Sequence, residues 1–147
     1  MENWMKLVFD ARSRNEAFAR LCAAGFAAQL DLTITDINDI KTAVSEAVTN
    51  AIIHGYQGKG GQVVMEGSYD RHRIVFRIQD DGVGIPDIEQ ARQPLYTSRP
   101  DLERSGMGFT VMETFMDAVE VSSAKGRGTT VTLTKNLTAG QGNRDAS

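Results

Sequence analysis

A composition that is 41% hydrophobic and 24% charged, over 147 residues, suits one ordinary globular domain built around a single core. The net charge of −3 comes without a basic cluster, and no uncharged apolar run approaches membrane-spanning length, so neither nucleic acid nor membrane is an expected partner. One cysteine, Cys22, excludes an internal disulfide and a cysteine-built zinc site, and the opening residues lack the apolar stretch of a secretion signal; a cytoplasmic domain is the expectation.

Residues 4–10 place Met5, Leu7 and Phe9 on alternate positions, the pattern of a strand with one buried face. Ser13 followed by Glu16 reads as a capping box, and the helix it opens should run to about residue 30 with Phe18, Leu21, Cys22, Gly25 and Phe26 inward. Arg20 falls off that stripe and reads, on spacing, as a solvated charge. A second helix is expected to be capped by Asp36. Its inner face is Ile37, Ile40, Val44, Ala47, Val48 and Ala51, and it should end near His54 and a left-handed Gly55.

Residues 62–69 and 73–79 read as an antiparallel hairpin around a polar turn at Asp70, Arg71 and His72. The next stretch, Asp80-Asp81-Gly82-Val83-Gly84, is a sharp turn whose glycines leave room for a bulky neighbour. A short helix near 87–91 precedes an aperiodic segment, 92–104, with the length and composition of a lid. Gly106 and Gly108 then open a helix with Val111, Met112, Phe115 and Met116 inward, and its exposed N–H groups suit a phosphate. Strands at 118–122 and 129–135 follow, and residues 138–147 are expected to form a disordered tail beyond a single 1–137 domain. The order β-α-α-β-β-lid-α-β-β predicts an α+β sandwich, a mixed, mainly antiparallel sheet with helices on one face.

The second helix carries the most chemistry. Glu46, Asn50 and His54 recur every four residues and form a polar ridge over an apolar face. A carboxylate and an amide one turn apart suit phosphoryl transfer: the amide oxygen can ligate magnesium while the carboxylate takes a proton from the attacking hydroxyl. A Walker-type loop is excluded, because G-x-x-x-x-G-K-[S/T] occurs nowhere. Taken singly, each of these signals is also what an amphipathic helix, a tight loop or a glycine-tolerant helix entry would show.

The four signals stand in a fixed order: the Glu46–Asn50–His54 ridge, Asp80 with Gly82 and Gly84, the loop ending at Gly106 and Gly108, and Thr129-Thr130 opening the last strand. That order resembles the N, G1 and G2 boxes of the GHKL (Bergerat-fold) ATPase superfamily. From residue 4 to about 137 the chain is similar to the anti-sigma factor serine kinases, most of all the sporulation type, with residues 45–56 and 81–117 as the specific stretches.

The resemblance implies that Asp80 accepts a hydrogen bond from the adenine amine, with Thr129 or Thr130 assisting; the sequence does not choose between them. It implies ATP or ADP against Gly82 and Gly84, phosphates on Gly106 and Gly108, magnesium on Asn50, and Glu46 as catalytic base. His54 would lie near the phosphates, and Arg104, with Arg99 as second choice, would cross the lid to the γ-phosphate. Arg20 matches an exposed family arginine that contacts protein partners. The implied partners are a second copy of the chain, a sigma factor of the sigma-F type, and an anti-anti-sigma protein (SpoIIAA type) phosphorylated on serine. A general-stress anti-sigma kinase is the nearest alternative. The catalytic half of a histidine kinase is a further one, although neither His54 nor His72 is placed to be its phosphorylated histidine.

Overall fold

A computed structural model describes residues 2–56, 59–85, 108–138 and 141. Among the described residues five strands, β1 (Asn3–Asp10), β2 (Gln62–Tyr69), β3 (Arg73–Asp80), β4 (Ala118–Ser123) and β5 (Thr129–Asn136), form one sheet in the order β1-β2-β3-β5-β4. Every pairing is antiparallel. Helices α1 (Arg14–Ala27), α2 (Ile34–Asn50) and α3 (Gly108–Phe115) accompany the sheet, and α2 packs against both of the others. Among the described residues no helix is long and apolar enough to cross a membrane.

The sheet has one dry face because its strands alternate. Val63 and Met65 on β2, Ile74, Phe76 and Ile78 on β3, and Val131 and Leu133 on β5 are buried. They meet Ile40, Val44 and Val48 of α2 and Phe109 and Met112 of α3 in one core. Each such fully buried side chain contributes about 1.5–3 kcal/mol. The same parity carries Asp80 and Thr129 onto the covered face, where the register sets them directly opposite one another. The buried face of the sheet therefore ends in two polar side chains.

Helix α1 departs from its expected face. Phe18 and Leu21 are 52% and 62% exposed, while Ala19, Ala23, Phe26 and Ala27 are buried. Alanines on that side let α1 lie close to α2, whose own buried positions include Ala43 and Ala47. Ser13 has helical φ/ψ and makes no side-chain cap, since an N-cap needs extended backbone. Glu16 turns instead to accept a hydrogen bond from the Ser45 hydroxyl. The helix stops at Ala27, and tighter bonds from Gln29 and Leu30 back to Phe26 and Ala27 complete the turn.

Helix α2 starts three residues earlier than expected. Thr33, extended at φ −72° and ψ 162°, accepts from the Asp36 N–H, and Asp36 returns a bond to the Thr33 N–H, a reciprocal capping box. At its far end α2 passes into a π-helical turn, Ala51–Gly55, closed by the Tyr56 N–H on the Ala51 carbonyl. Beyond the last strand, Gln141 reaches back to Asp36 and to the Asp31 N–H, while residues 142–147 are outside the described set.

Candidate functional site

The π-helical turn brings the end of α2 onto the end of β3. Gly55 is not left-handed, contrary to expectation; its place is set by the Asp80 carboxylate, since a Cβ there would stand 2.6 Å from Asp80 Oδ1. The Gly55 carbonyl accepts from the Val83 N–H at 2.8 Å and occupies the position a Gly82 Cβ would need, 1.9 Å away. Gly84, at φ +76°, is pressed against the Ala124 carbonyl in the same way. The room left by Gly82 and Gly84 is thus taken by the protein's own backbone.

Asp80 is 5% exposed, and its Oδ1 accepts from the Gly82 N–H at 2.8 Å. Burial pushes its pKa up to about 6, helped by the charge of Asp81; hydrogen bonds from the Gly82 and Thr129 backbones oppose the rise. A carboxylate held dry at the mouth of a core is costly without a ligand that donates to it. Strand alternation puts the two threonines on opposite faces: Thr129 is buried beside Asp80, and Thr130 belongs to the other face.

Glu46 and Asn50 lie one turn apart on α2, about 6 Å along the axis. The π winding widens the turn, so His54 is rotated away from the line through Glu46 and Asn50 that uniform α-helix predicts. The Asn50 amide nitrogen is enclosed and has no hydrogen-bond partner among the described residues. An orphaned donor of that kind costs about 1–3 kcal/mol and is satisfied by an incoming acceptor such as a phosphate oxygen. Among the described residues no three His, Cys, Asp or Glu side chains converge to hold a metal. A divalent ion here would depend on the Asn50 oxygen with phosphate oxygens and waters, the mode magnesium favours.

A cleft adjoins the ridge. Arg20, Asn38, Lys41, Thr42, Ser45 and Glu46 line a cleft of about 360 Å³ between α1 and α2. Arg20 pairs with Glu16 at 3.7 Å, and Glu16 also accepts from the hydroxyl of Ser45 on the helix that bears Glu46. Gly108 is buried at the start of α3. Arg99, Arg104 and Gly106, with the expected lid, lie outside the described residues.

Sequence reasoning missed Ser123, whose hydroxyl ties Thr129, Gly128 and Ile85 together, and Tyr56, whose hydroxyl bridges the Asp81 N–H and the Gln62 carbonyl. Ser123 stands in no pattern readable along the chain, and Tyr56 closes the 45–56 stretch without that stretch revealing what its hydroxyl bonds; both act through tertiary contacts.

A one-sided antiparallel sheet ending in a buried aspartate, backed by a helix with a Glu–Asn ridge, defines a histidine kinase-like ATPase domain, and the model of that name matches residues 9–135. In solved structures the fold recurs in the RsbU and RsbW domains of Rv1364c from Mycobacterium tuberculosis, with TM-score 0.62 and 19% identity, covering 93% of this chain and 33% of that one. It recurs too in the mycobacterial sensor histidine kinase MprB, with TM-score 0.58 and 18% identity, over 88% of this chain and 97% of that one. Among curated proteins the chain is 61% identical to the anti-sigma F factor of Clostridium beijerinckii over 137 residues, 92% of this chain and 96% of the relative. It is 55% identical to that of Bacillus licheniformis over 138 residues, 93% of this chain and 94% of the relative. The chain therefore belongs to the anti-sigma F factor family of histidine kinase-like ATPase domains.

Proposed function

We propose that this protein is an anti-sigma factor and an ATP-dependent serine kinase. It holds a sigma factor of the sigma-F type inactive and phosphorylates an anti-anti-sigma partner on serine. The observation that carries the reading is the Asp80 carboxylate packed on Gly55, at the end of the same helical run that bears Glu46 and Asn50. It supports one site in which a purine amine meets Asp80 while the phosphates run back towards Asn50. Glu46, a turn before Asn50, accepts the proton of the partner's serine. Asn50, with phosphate oxygens, would hold magnesium, which would supply neutralisation of the charge developing on the transferred group. The family resemblance assigns phosphate binding to the N–H groups of Gly106 and Gly108 and contact with the γ-phosphate to Arg104.

The cleft shared by Arg20 and Glu46 supports a protein substrate, since a partner gripped at Arg20 has its serine within reach of the base. Exposed Trp4 and Val8 on the edge strand β1, with Phe18 and Leu21 on α1, supply apolar surface for a homodimer. High identity to anti-sigma F factors favours the sporulation reading over the general-stress one.

The decisive experiment incubates the purified chain with labelled ATP, magnesium and candidate anti-anti-sigma proteins, and measures capture of sigma factor in parallel. Label on a partner serine, with sigma captured in the presence of nucleotide, is the expected outcome. Sigma capture without transfer to any candidate leaves a binding module and removes the kinase.

A further inference from the structure

Ser123 sits at the end of β4, outside every motif considered above, and its hydroxyl has three partners. The Ile85 N–H donates to Ser123 Oγ at 2.7 Å, and Ser123 Oγ lies 2.9 Å from the Gly128 carbonyl and 2.8 Å from Thr129 Oγ1. A serine hydroxyl has one proton and two lone pairs. A carbonyl only accepts, so the Ser123 proton goes to Gly128. The Thr129 contact must then run the other way, with the Thr129 hydroxyl donating to Ser123. Ser123 is saturated, and Thr129 is left with lone pairs and no proton for the space beside Asp80.

Thr129 and Asp80 are register partners on the same face of adjacent antiparallel strands, both buried, with side chains at opposed positions about 4.5–5.5 Å apart at Cβ. An ionised carboxylate accepts only. The two side chains at this end of the sheet therefore offer acceptors and no donor.

We propose that Ser123 is a specificity-determining positioning residue. By holding the Thr129 proton, it makes the pocket accept an exocyclic amine and reject a ring carbonyl at the same position of a purine nucleotide. The inference rests on the reading that the base lies at Asp80 and Thr129. Releasing the Thr129 proton gives the pocket a donor that a six-position carbonyl can use, so the discrimination should shrink.

The test compares dissociation constants for ATP and inosine triphosphate, which differ at the six-position (amine against carbonyl) and at N1 (acceptor against N–H), by titration calorimetry with magnesium present. The wild-type chain should favour ATP. Ser123→Ala should lower the inosine-to-adenine ratio of dissociation constants about tenfold, and Ser123→Thr, which keeps the hydroxyl, should restore it. In a Thr129→Val background, Ser123→Ala should change the ratio by less than about twofold, because the effect acts through the Thr129 hydroxyl. The ratio is read within one protein sample, so loss of folded material does not mimic the result.

Equal weakening of both nucleotides by Ser123→Ala would mean that the hydroxyl merely tethers the Ile85 loop, and would overturn the proposal while leaving the base site intact. An unchanged ratio in both Asp80→Asn and Thr129→Val would overturn the base-site reading itself, and the proposal with it.

Discussion

Gly55 and Asp80 lie in contact across 25 residues of sequence, so close that any side chain at 55 would collide with the carboxylate. The contact joins the helix of Glu46 and Asn50 to the buried edge of the sheet. Gly55→Ala should therefore be felt in both. Overpacking of this kind costs about 1–3 kcal/mol. A urea melt should show that loss together with weakened nucleotide binding; a variant with wild-type midpoint and affinity would mean the contact is slack.

The raised pKa of Asp80 has a sign that can be tested. Its folded pKa of about 6 exceeds the unfolded value near 3.9, so the native state binds more protons between those limits. Stability of the nucleotide-free protein should fall as pH rises from about 4 to about 6, by roughly 1–2 kcal/mol after allowing for partial solvent contact. Asp80→Asn should remove that slope. Affinity for ATP should run oppositely, weakening as pH drops below about 6, because the ionised carboxylate is the better acceptor of the amine. Thermal melts and titrations across that range measure both; parallel slopes in wild type and Asp80→Asn would assign the dependence to another group.

Glu46→Gln keeps the size and loses the basicity of the side chain. It should leave ATP affinity within about twofold and lower phosphate transfer to the partner serine by about 10²–10⁴. Asn50→Ala separates the neighbouring role, since it should lose magnesium-dependent nucleotide affinity instead. Single-turnover transfer and nucleotide titration on both variants check the division; undiminished transfer by Glu46→Gln would take the base away from that residue.

Arg20 lines the cleft with Glu46 but stands on α1, whereas Glu46 and Asn50 stand on α2. Arg20→Glu reverses its charge and sets it against Glu16. Binding of sigma and of the anti-anti-sigma protein should weaken by tenfold or more, with ATP affinity unchanged. Surface-immobilised partners provide the measurement, and full partner affinity would place the docking surface elsewhere.

Much of the fold could be read from order and alternation. The β2–β3 hairpin, the one-sided strands and the buried face of α2 follow from where apolar residues recur, because burying them is the dominant stabilising term. The order of the motifs singles out Glu46, Asn50 and Asp80 as the candidate site residues. Residues 86–107, with Arg104 and Gly106, lie outside the described set. The buried face of α1 differs from the expected one for a definable reason. Apolar size alone points Phe18 and Leu21 to the core, whereas close helix packing buries Ala19, Ala23 and Ala27 and leaves Phe18 and Leu21 outside.

The order of chemical groups along the chain, and the period that turns each towards core or solvent, were determined by the sequence alone. Which groups meet was decided only by the tertiary structure: the π turn that sets Gly55 on Asp80, the register that sets Thr129 rather than Thr130 opposite it, and the hydroxyl of Ser123 that fixes the Thr129 proton. Periodicity is a local property of a few turns or pleats. Hydrogen-bond direction and steric contact depend on distances between segments that only the packed sheet and helices bring together.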